Sequence, residues 1–220
     1  MKLPKKYLSY SQLSLWLYDK DKYRSRYYQN IEERPSKELL FGSDMAKGLE
    51  DGTIQLPELI QYKVSEEQIK VDIEGIPFFA YIDTFDPENL SFREYKTSKN
   101  RPDGSPGWTQ KRVNEHMQLD IYSLLIQEKY GRVQDLCHLD CICTRNKIKE
   151  ITFEGNVLQS ESRDVEMTGD IITFPRIITQ LERDRMRALI PSIAREIAND
   201  YEKFLTNDFY VPSASSSHAR

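Results

Sequence analysis

From Gln68 to Thr97 the chain alternates with a period of two, and turn residues interrupt it. Ile69, Val71 and Ile73 share one face of a strand expected over Gln68–Glu74, which Gly75 and Pro77 close. Phe78–Phe85 is the next strand. Leu90–Thr97 follows the tetrad Asp86-Pro87-Glu88-Asn89, whose proline supplies the fixed φ of a turn. Such a meander commits the chain to a sheet. It also carries charge where strands disfavour it: Asp83 on one strand, Glu94 and Lys96 on the next. Fully buried charges are rare unless paired or bound to metal.

A four-residue loop over Asp86–Asn89 sets Phe85 opposite Leu90 and Asp83 opposite Phe92. Opposed residues share a face of the sheet, and the period of two brings Glu94 and Lys96 to that face. A slip of one residue would separate the three. Two carboxylates held together repel, and one takes up a proton unless a cation lies between them. All-oxygen ligands suit Mg²⁺ or Mn²⁺ better than zinc. Such an ion polarises a phosphoryl oxygen and acidifies a bound water, and Lys96 is placed to orient that water or offset phosphate charge. The plainer alternative is an exposed ion-pair ladder.

The remaining chain reads as helices around that sheet. Helical stretches are expected over Ser9–Asn30, Lys37–Glu50 (with Gly42 and Gly48 inside it), Trp108–Lys129 and Arg176–Leu205, the last broken or kinked near Pro191. Further strands are expected over Leu136–Thr144 and Lys147–Phe153, and Asn156–Asp170 reads as polar and irregular. The order predicts an α/β fold with a central mixed sheet flanked by helices. One domain over 1–212 and a disordered tail over 213–220 are expected.

Charged residues at 30% and hydrophobic residues at 39% describe a globular chain, and no apolar run is long enough for a membrane span. Cys137, Cys141 and Cys143 are an odd set in one segment, which suits a reducing cytoplasm and a core-facing strand. The net charge of −4 excludes binding nucleic acid through bulk charge alone. A local basic stretch runs from Arg93 to Arg112 and includes Lys96, Lys99, Arg101 and Lys111, opposed by Glu94 and Asp103. His116 reads as a surface helix residue, His138 as facing away from Cys137 and Leu139, and His218 as part of the tail.

Gln118 and Tyr122, four apart on a helix, share a face that can bond a phosphate or the lysine. Glu50 closes the helix Phe41-Gly-Ser-Asp-Met-Ala-Lys-Gly-Leu-Glu50 and can add a third carboxylate. In order, Phe-Gly-x(7)-Glu, Asp-x(10)-Glu-Tyr-Lys-Thr and Gln-x(3)-Tyr resemble the PD-(D/E)XK nucleases, in their RecB-like and lambda-exonuclease-like branch. The opening Leu-Ser-Tyr-Ser-Gln-Leu-Ser-Leu-Trp is similar to that branch's first helix. The resemblance covers Leu8 to Tyr122.

It implies a restriction-endonuclease-like core and a metal-dependent DNA nuclease, an exonuclease or end-processing enzyme of recombination or repair, encoded by a phage or mobile element. By matching positions, Glu50, Asp83, Glu94 and the Tyr95 carbonyl would hold Mg²⁺ or Mn²⁺, and Lys96 would be the catalytic lysine. Gln118 and Tyr122 would position the substrate strand, and Lys99, Arg101, Lys111 and Arg112 would contact nucleic acid. DNA, a recombination partner protein or further copies of the chain are the implied partners. Ala46 departs from the histidine many RecB-like members carry four residues before the glutamate. No Cys-Pro follows the first helix, so no iron–sulfur cluster is expected. The alternatives are a non-catalytic, nuclease-fold DNA-binding or scaffold subunit, and a nuclease acting on RNA.

Overall fold

The computed structural model describes residues 1–153 and 156–206. The expected tail, with His218, lies outside the described residues. Five strands form one mixed sheet in the order β1 (Val64–Ile73), β2 (Ile76–Asp86), β3 (Ser91–Lys99), β4 (Leu136–Phe153) and β5 (Asn156–Ile177). Neighbours are antiparallel except β3 and β4, which run parallel. A parallel pair needs a crossover, and α4 (Gln110–Asn114) and α5 (Met117–Tyr130) supply it. The remaining helices are α1 (Tyr10–Tyr18), α2 (Lys20–Tyr27), α3 (Lys37–Glu50) and α6 (Gln180–Leu205). This is the α/β architecture, with a mixed sheet flanked by helices, that the sequence pattern implies. No helix among the described residues is long and apolar enough to cross a membrane.

At β3 and β4 the sheet is covered on both faces. Phe92 on β3 and Leu139 and Cys141 on β4 join a large cluster with Leu13, Leu124 and Ile193 of α1, α5 and α6. Tyr95 and Ile142 are out of phase with those residues and therefore face the other way. They join Met45 and Leu49 of α3 in a smaller cluster. All three cysteines are buried on the larger cluster's side, as core-facing thiols.

Gly42 and Gly48 let α3 lie close to its neighbours. A Cβ at Gly42 would stand 2.9 Å from Thr97 Oγ1, and one at Gly48 would meet the Ile54 side chain at 2.4 Å. A side chain at Gly42 would therefore crowd β3, and one at Gly48 would crowd the loop that follows the helix.

Several boundaries differ from the sequence expectation, each for a local reason. Pro77 lies inside β2 opposite Asp72 rather than ending a strand. A two-residue turn joins Ile73 to Ile76, so the alternation of an antiparallel ladder makes the next pair non-hydrogen-bonded, and no bond to β1 is lost. The helix expected over Ser9–Asn30 divides at Asp19, whose carboxylate caps α2 by accepting from Lys22 N. The helix expected over Trp108–Lys129 divides at Glu115–His116, because Arg176 donates to the carbonyls of Val113 and His116 at 2.8 and 3.1 Å. Arg176 itself belongs to β5, and α6 begins at Gln180 behind a Thr179–Glu182 capping box. That helix runs unbroken through Pro191, which is buried with Ile190, Ile193 and Ile197. Leu136–Phe153 is one strand with two register shifts, and the segment read as irregular pairs with it as part of β5. Ladder bonds are made by the main chain, so a polar sequence without alternation still pairs.

Behind the site, Arg93 and Asp140 join β3 to β4 through two bonds of 2.7 Å, and both are almost fully buried. Asp140→Ala leaves a buried guanidinium unpaired. It should cost about 3–5 kcal/mol in urea unfolding, with the apolar double variant Arg93→Met/Asp140→Leu recovering most of the loss.

Candidate active site

The β2–β3 ladder is short. It pairs Thr84 with Arg93, Phe85 with Phe92 and Asp86 with Ser91, and beyond Arg93 strand β3 pairs with β4. The turn is Pro87–Leu90, with Leu90 at φ 55 and the Asp86 carboxylate accepting from the amides of Glu88 and Asn89. Pairing is therefore shifted by two residues from the expected register. An even shift preserves facing, and the strands part where Asp83 and Glu94 stand.

Asp83, Glu94 and Lys96 converge at this fork. Asp83 Oδ2 accepts the Tyr95 N–H at 2.6 Å. Glu94 Oε1 accepts from Lys96 Nζ at 2.5 Å and from Gln118 Nε2 at 2.7 Å. Gln118 Nε2 also reaches the Tyr122 hydroxyl at 2.8 Å. Glu94 is only 2% exposed, and its Oε2 is buried with no protein partner. Burial first, then the Glu94 charge, pushes the Asp83 carboxyl up to about 8, against the opposing pull of Lys96 and the Tyr95 amide. Burial works to lower the Lys96 pKa, but the charges of Glu94 and Asp83 outweigh it and hold the ammonium above its ordinary value. Burial, aided by Glu94, keeps the Tyr122 phenol far above its usual range.

Two cavities meet at Asp83. A cleft of about 530 Å³ lies between α3 and strands β3 and β4, lined by Phe41 and Met45 of the helix and by Asp83, Lys96, Lys99 and Ile142 of the sheet. A void of about 20 Å³ lies between Ala46, Glu50, Glu66, Asp83 and Tyr95. It has room for one water-sized occupant. Glu50 ends α3 and is exposed, and it faces this void rather than touching Glu94. Glu66 is a carboxylate the sequence reading passed over. It lies just outside the expected first strand, at φ 52, skipped by the β1–β2 ladder. Burial, then the charges of Glu50 and Asp83, raises its pKa. Its only sequence signal is an acid preceding a strand.

Other predicted residues scatter. Lys99 lines the larger cleft, while Arg101, Lys111 and Arg112 are exposed on the loop and short helix after β3. Arg112 lies over the Trp108 ring at 4.1 Å and donates to the Gly107 carbonyl. Arg93 does not belong to the basic stretch, because it is buried against Asp140. His116 is not a surface residue. It is packed between the rings of Tyr10 and Trp108, and burial, then Lys96, lowers its pKa to about 4. The start of α1 brings Ser9, Tyr10 and Ser11 to a third cavity of about 280 Å³ shared with Gln118 and Tyr122. The Leu-Ser-Tyr-Ser-Gln stretch carried that signal.

The donor set fits a divalent ion. The half-buried Asp83, the buried Glu94 with one unpartnered oxygen, and a neighbouring ion-sized void bordered by two further acids are the features such an ion would use. Among the described residues, no three carboxylate, imidazole or thiol groups already stand close enough to share one ion.

Fold and site together define an α/β protein with a restriction-endonuclease-like core and an acid–lysine cluster at the fork of its sheet. Among solved structures, a provisionally assigned exonuclease from Eubacterium rectale has a similar fold, with a TM-score of 0.55 and 10% identity over 89% of this chain and 82% of that one. A second structure, SSO0001, aligns at a TM-score of 0.43 and 15% identity, over 91% of this chain and 77% of that one, and carries no argument. No family model and no curated protein sequence matches the chain. The likeness is one of fold.

The Asp83 carboxyl sits at about 8 in the fold and near 3.9 in an unfolded chain. Between those values the native state holds a proton the unfolded state has released, so the ion-free fold loses stability as pH rises from about 4 to about 8. In chelator, Asp83→Asn should flatten that dependence in thermal melts. Mn²⁺ should raise the wild-type melting temperature more at pH 8 than at pH 5, because an ion must displace the Asp83 proton.

Proposed function

We propose that this protein is a divalent-metal-dependent nuclease that hydrolyses DNA phosphodiesters, acting as an exonuclease or end-processing enzyme in recombination or repair. The observation that carries the reading is the Asp83–Glu94 pair at the fork of the sheet, with Glu94 buried, its Oε2 unpartnered, and Lys96 bonded to Glu94 beside an open cleft. The fold shared with the Eubacterium rectale protein supports it, as does the motif resemblance.

Asp83, Glu94 and the Tyr95 carbonyl would hold Mg²⁺ or Mn²⁺, with Glu50 and Glu66 facing the adjoining void. The chemistry a divalent ion supplies in such a site is Lewis acidity toward a phosphoryl oxygen and acidification of a bound water. The chain's own groups do the rest. Lys96, charged at neutral pH, donates to a phosphoryl oxygen or fixes the attacking water, and offsets charge that builds on the phosphate. Gln118 is a positioning residue, since its amide holds Glu94 Oε1 and the Tyr122 hydroxyl together. Tyr122 stays protonated and acts as a hydrogen-bonding group, not as a base. Lys99, Arg101, Lys111 and Arg112 supply phosphate contacts along the approach.

The test is digestion of end-labelled linear DNA and of closed circular DNA, with Mn²⁺ and with chelator. Metal-dependent release from ends with the circle spared is the expected outcome. Lys96→Ala should lower the rate by about 10²–10³-fold, and Gln118→Ala by about 10–100-fold through Glu94. A Lys96→Ala variant that cuts as fast as wild type contradicts the assigned role. Metal binding without cleavage of DNA or RNA supports a scaffold instead.

A further inference from the structure

The outer face of an antiparallel sheet normally carries polar side chains. Here β2 presents the rings of Phe79 and Tyr81. Strand β3 leaves the first half of β2 unpaired, and the segment before α1 takes that edge, with Leu8 N donating to Pro77 O and Phe79 N to Leu8 O at 2.9 and 2.8 Å. This edge contact sets Tyr7 beside Phe79, with ring centroids 5.0 Å apart, and Phe79 lies edge-on to Tyr81 at 4.8 Å. Tyr7 and Tyr81 are 44% and 47% exposed. Lys70, opposite Phe79 on β1, holds its ammonium 5.3 Å from the Phe79 ring. Lys5 and Lys6 are exposed just before Tyr7.

The row does not end in open surface. Tyr7, Phe79 and Tyr81 line the 280 Å³ cavity that Gln118 and Tyr122 close, and Gln118 bonds Glu94. Successive rings tilted by 54° and 84° to one another, cations beside them and continuity with the acid–lysine cluster are features that suit a flexible single strand. Bases stack on rings regardless of sequence, and lysines meet the backbone.

We infer that Tyr7, Phe79 and Tyr81 form a stacking platform for the single-stranded segment of the DNA whose phosphodiester lies at Glu94 and Lys96. The inference rests on the proposed nuclease reading and adds to it a strand preference. Paired bases keep their faces stacked on one another, so a duplex cannot use the platform.

The test is fluorescence anisotropy of a labelled fifteen-residue oligo-dT and of a duplex of equal length, in chelator so that nothing is cut. Tyr7→Ala, Tyr81→Ala and Tyr81→Phe are compared with wild type. Hydrolysis of bis(p-nitrophenyl) phosphate with Mn²⁺, which has no base to stack, reports the catalytic cluster and the fold. The expected result is oligo-dT binding about 5- to 100-fold weaker for each alanine variant. Tyr81→Phe should stay near wild type, because it keeps the ring and loses only the hydroxyl that Gln68 contacts. Duplex binding and phosphodiester hydrolysis should not change. Alanine variants that bind oligo-dT as wild type does overturn the platform and leave the nuclease reading standing if the wild type cuts DNA. An equal loss on duplex overturns the single-strand assignment. A wild type that neither binds oligo-dT nor cuts DNA overturns both.

Discussion

Two carboxylates, a half-buried Asp83 and a buried Glu94, stand together at the fork of the sheet, with the Lys96 ammonium bonded to Glu94. Such a pair is expensive. Repulsion and desolvation drive a proton onto Asp83, and one Glu94 oxygen finds no partner. Nothing in the packing of the sheet requires this, because two apolar residues would fill the fork at lower cost. A cation of charge two relieves the repulsion, releases the proton and occupies the vacant oxygen. The cluster is a stored demand for such an ion, and the functional reading follows from it.

The fold maintains that demand by geometry. The three-pair ladder between β2 and β3 opens a fork, and the parallel pairing of β3 with β4 carries Glu94 and Lys96 away from β2. The buried Arg93–Asp140 pair holds the opposite side of the same strand. On one face α5 delivers Gln118 and Tyr122, where the Arg176 side chain has divided the preceding helix. On the other, Gly42 lets α3 lie close to Thr97 of β3, and Ala46 and Glu50 of that helix face the void beside Asp83. Sites with a demanding first set of ligands depend on such supporting contacts.

Much of this was legible in the sequence. The period of two around Asp86-Pro87-Glu88-Asn89 sufficed to bring Asp83, Glu94 and Lys96 together, and it survived a two-residue error in register because facing depends only on parity. The i, i+4 spacing put Gln118 and Tyr122 on one helix face but did not say which partner they meet: Gln118 bonds Glu94 and Tyr122 rather than the lysine. What escaped depended on partners distant in the chain. Arg176 interrupts a helix sixty residues earlier, and no local propensity announces that. The stretch Asn156–Asp170 has no alternation to betray its pairing with β4. His116 lies in a helical-looking stretch yet packs edge-on against Tyr10, more than a hundred residues earlier, as well as against the nearby Trp108. Glu66 enters the site only through a left-handed backbone turn in β1.

The most direct measurement is anomalous diffraction from crystals soaked in Mn²⁺ at pH 8. The account predicts a strong peak between the Asp83 and Glu94 carboxylates, within ligand distance of Glu94 Oε2. Crystals saturated with Mn²⁺ that bind it only at surface carboxylates, with the Asp83–Glu94 pair unchanged, would contradict it.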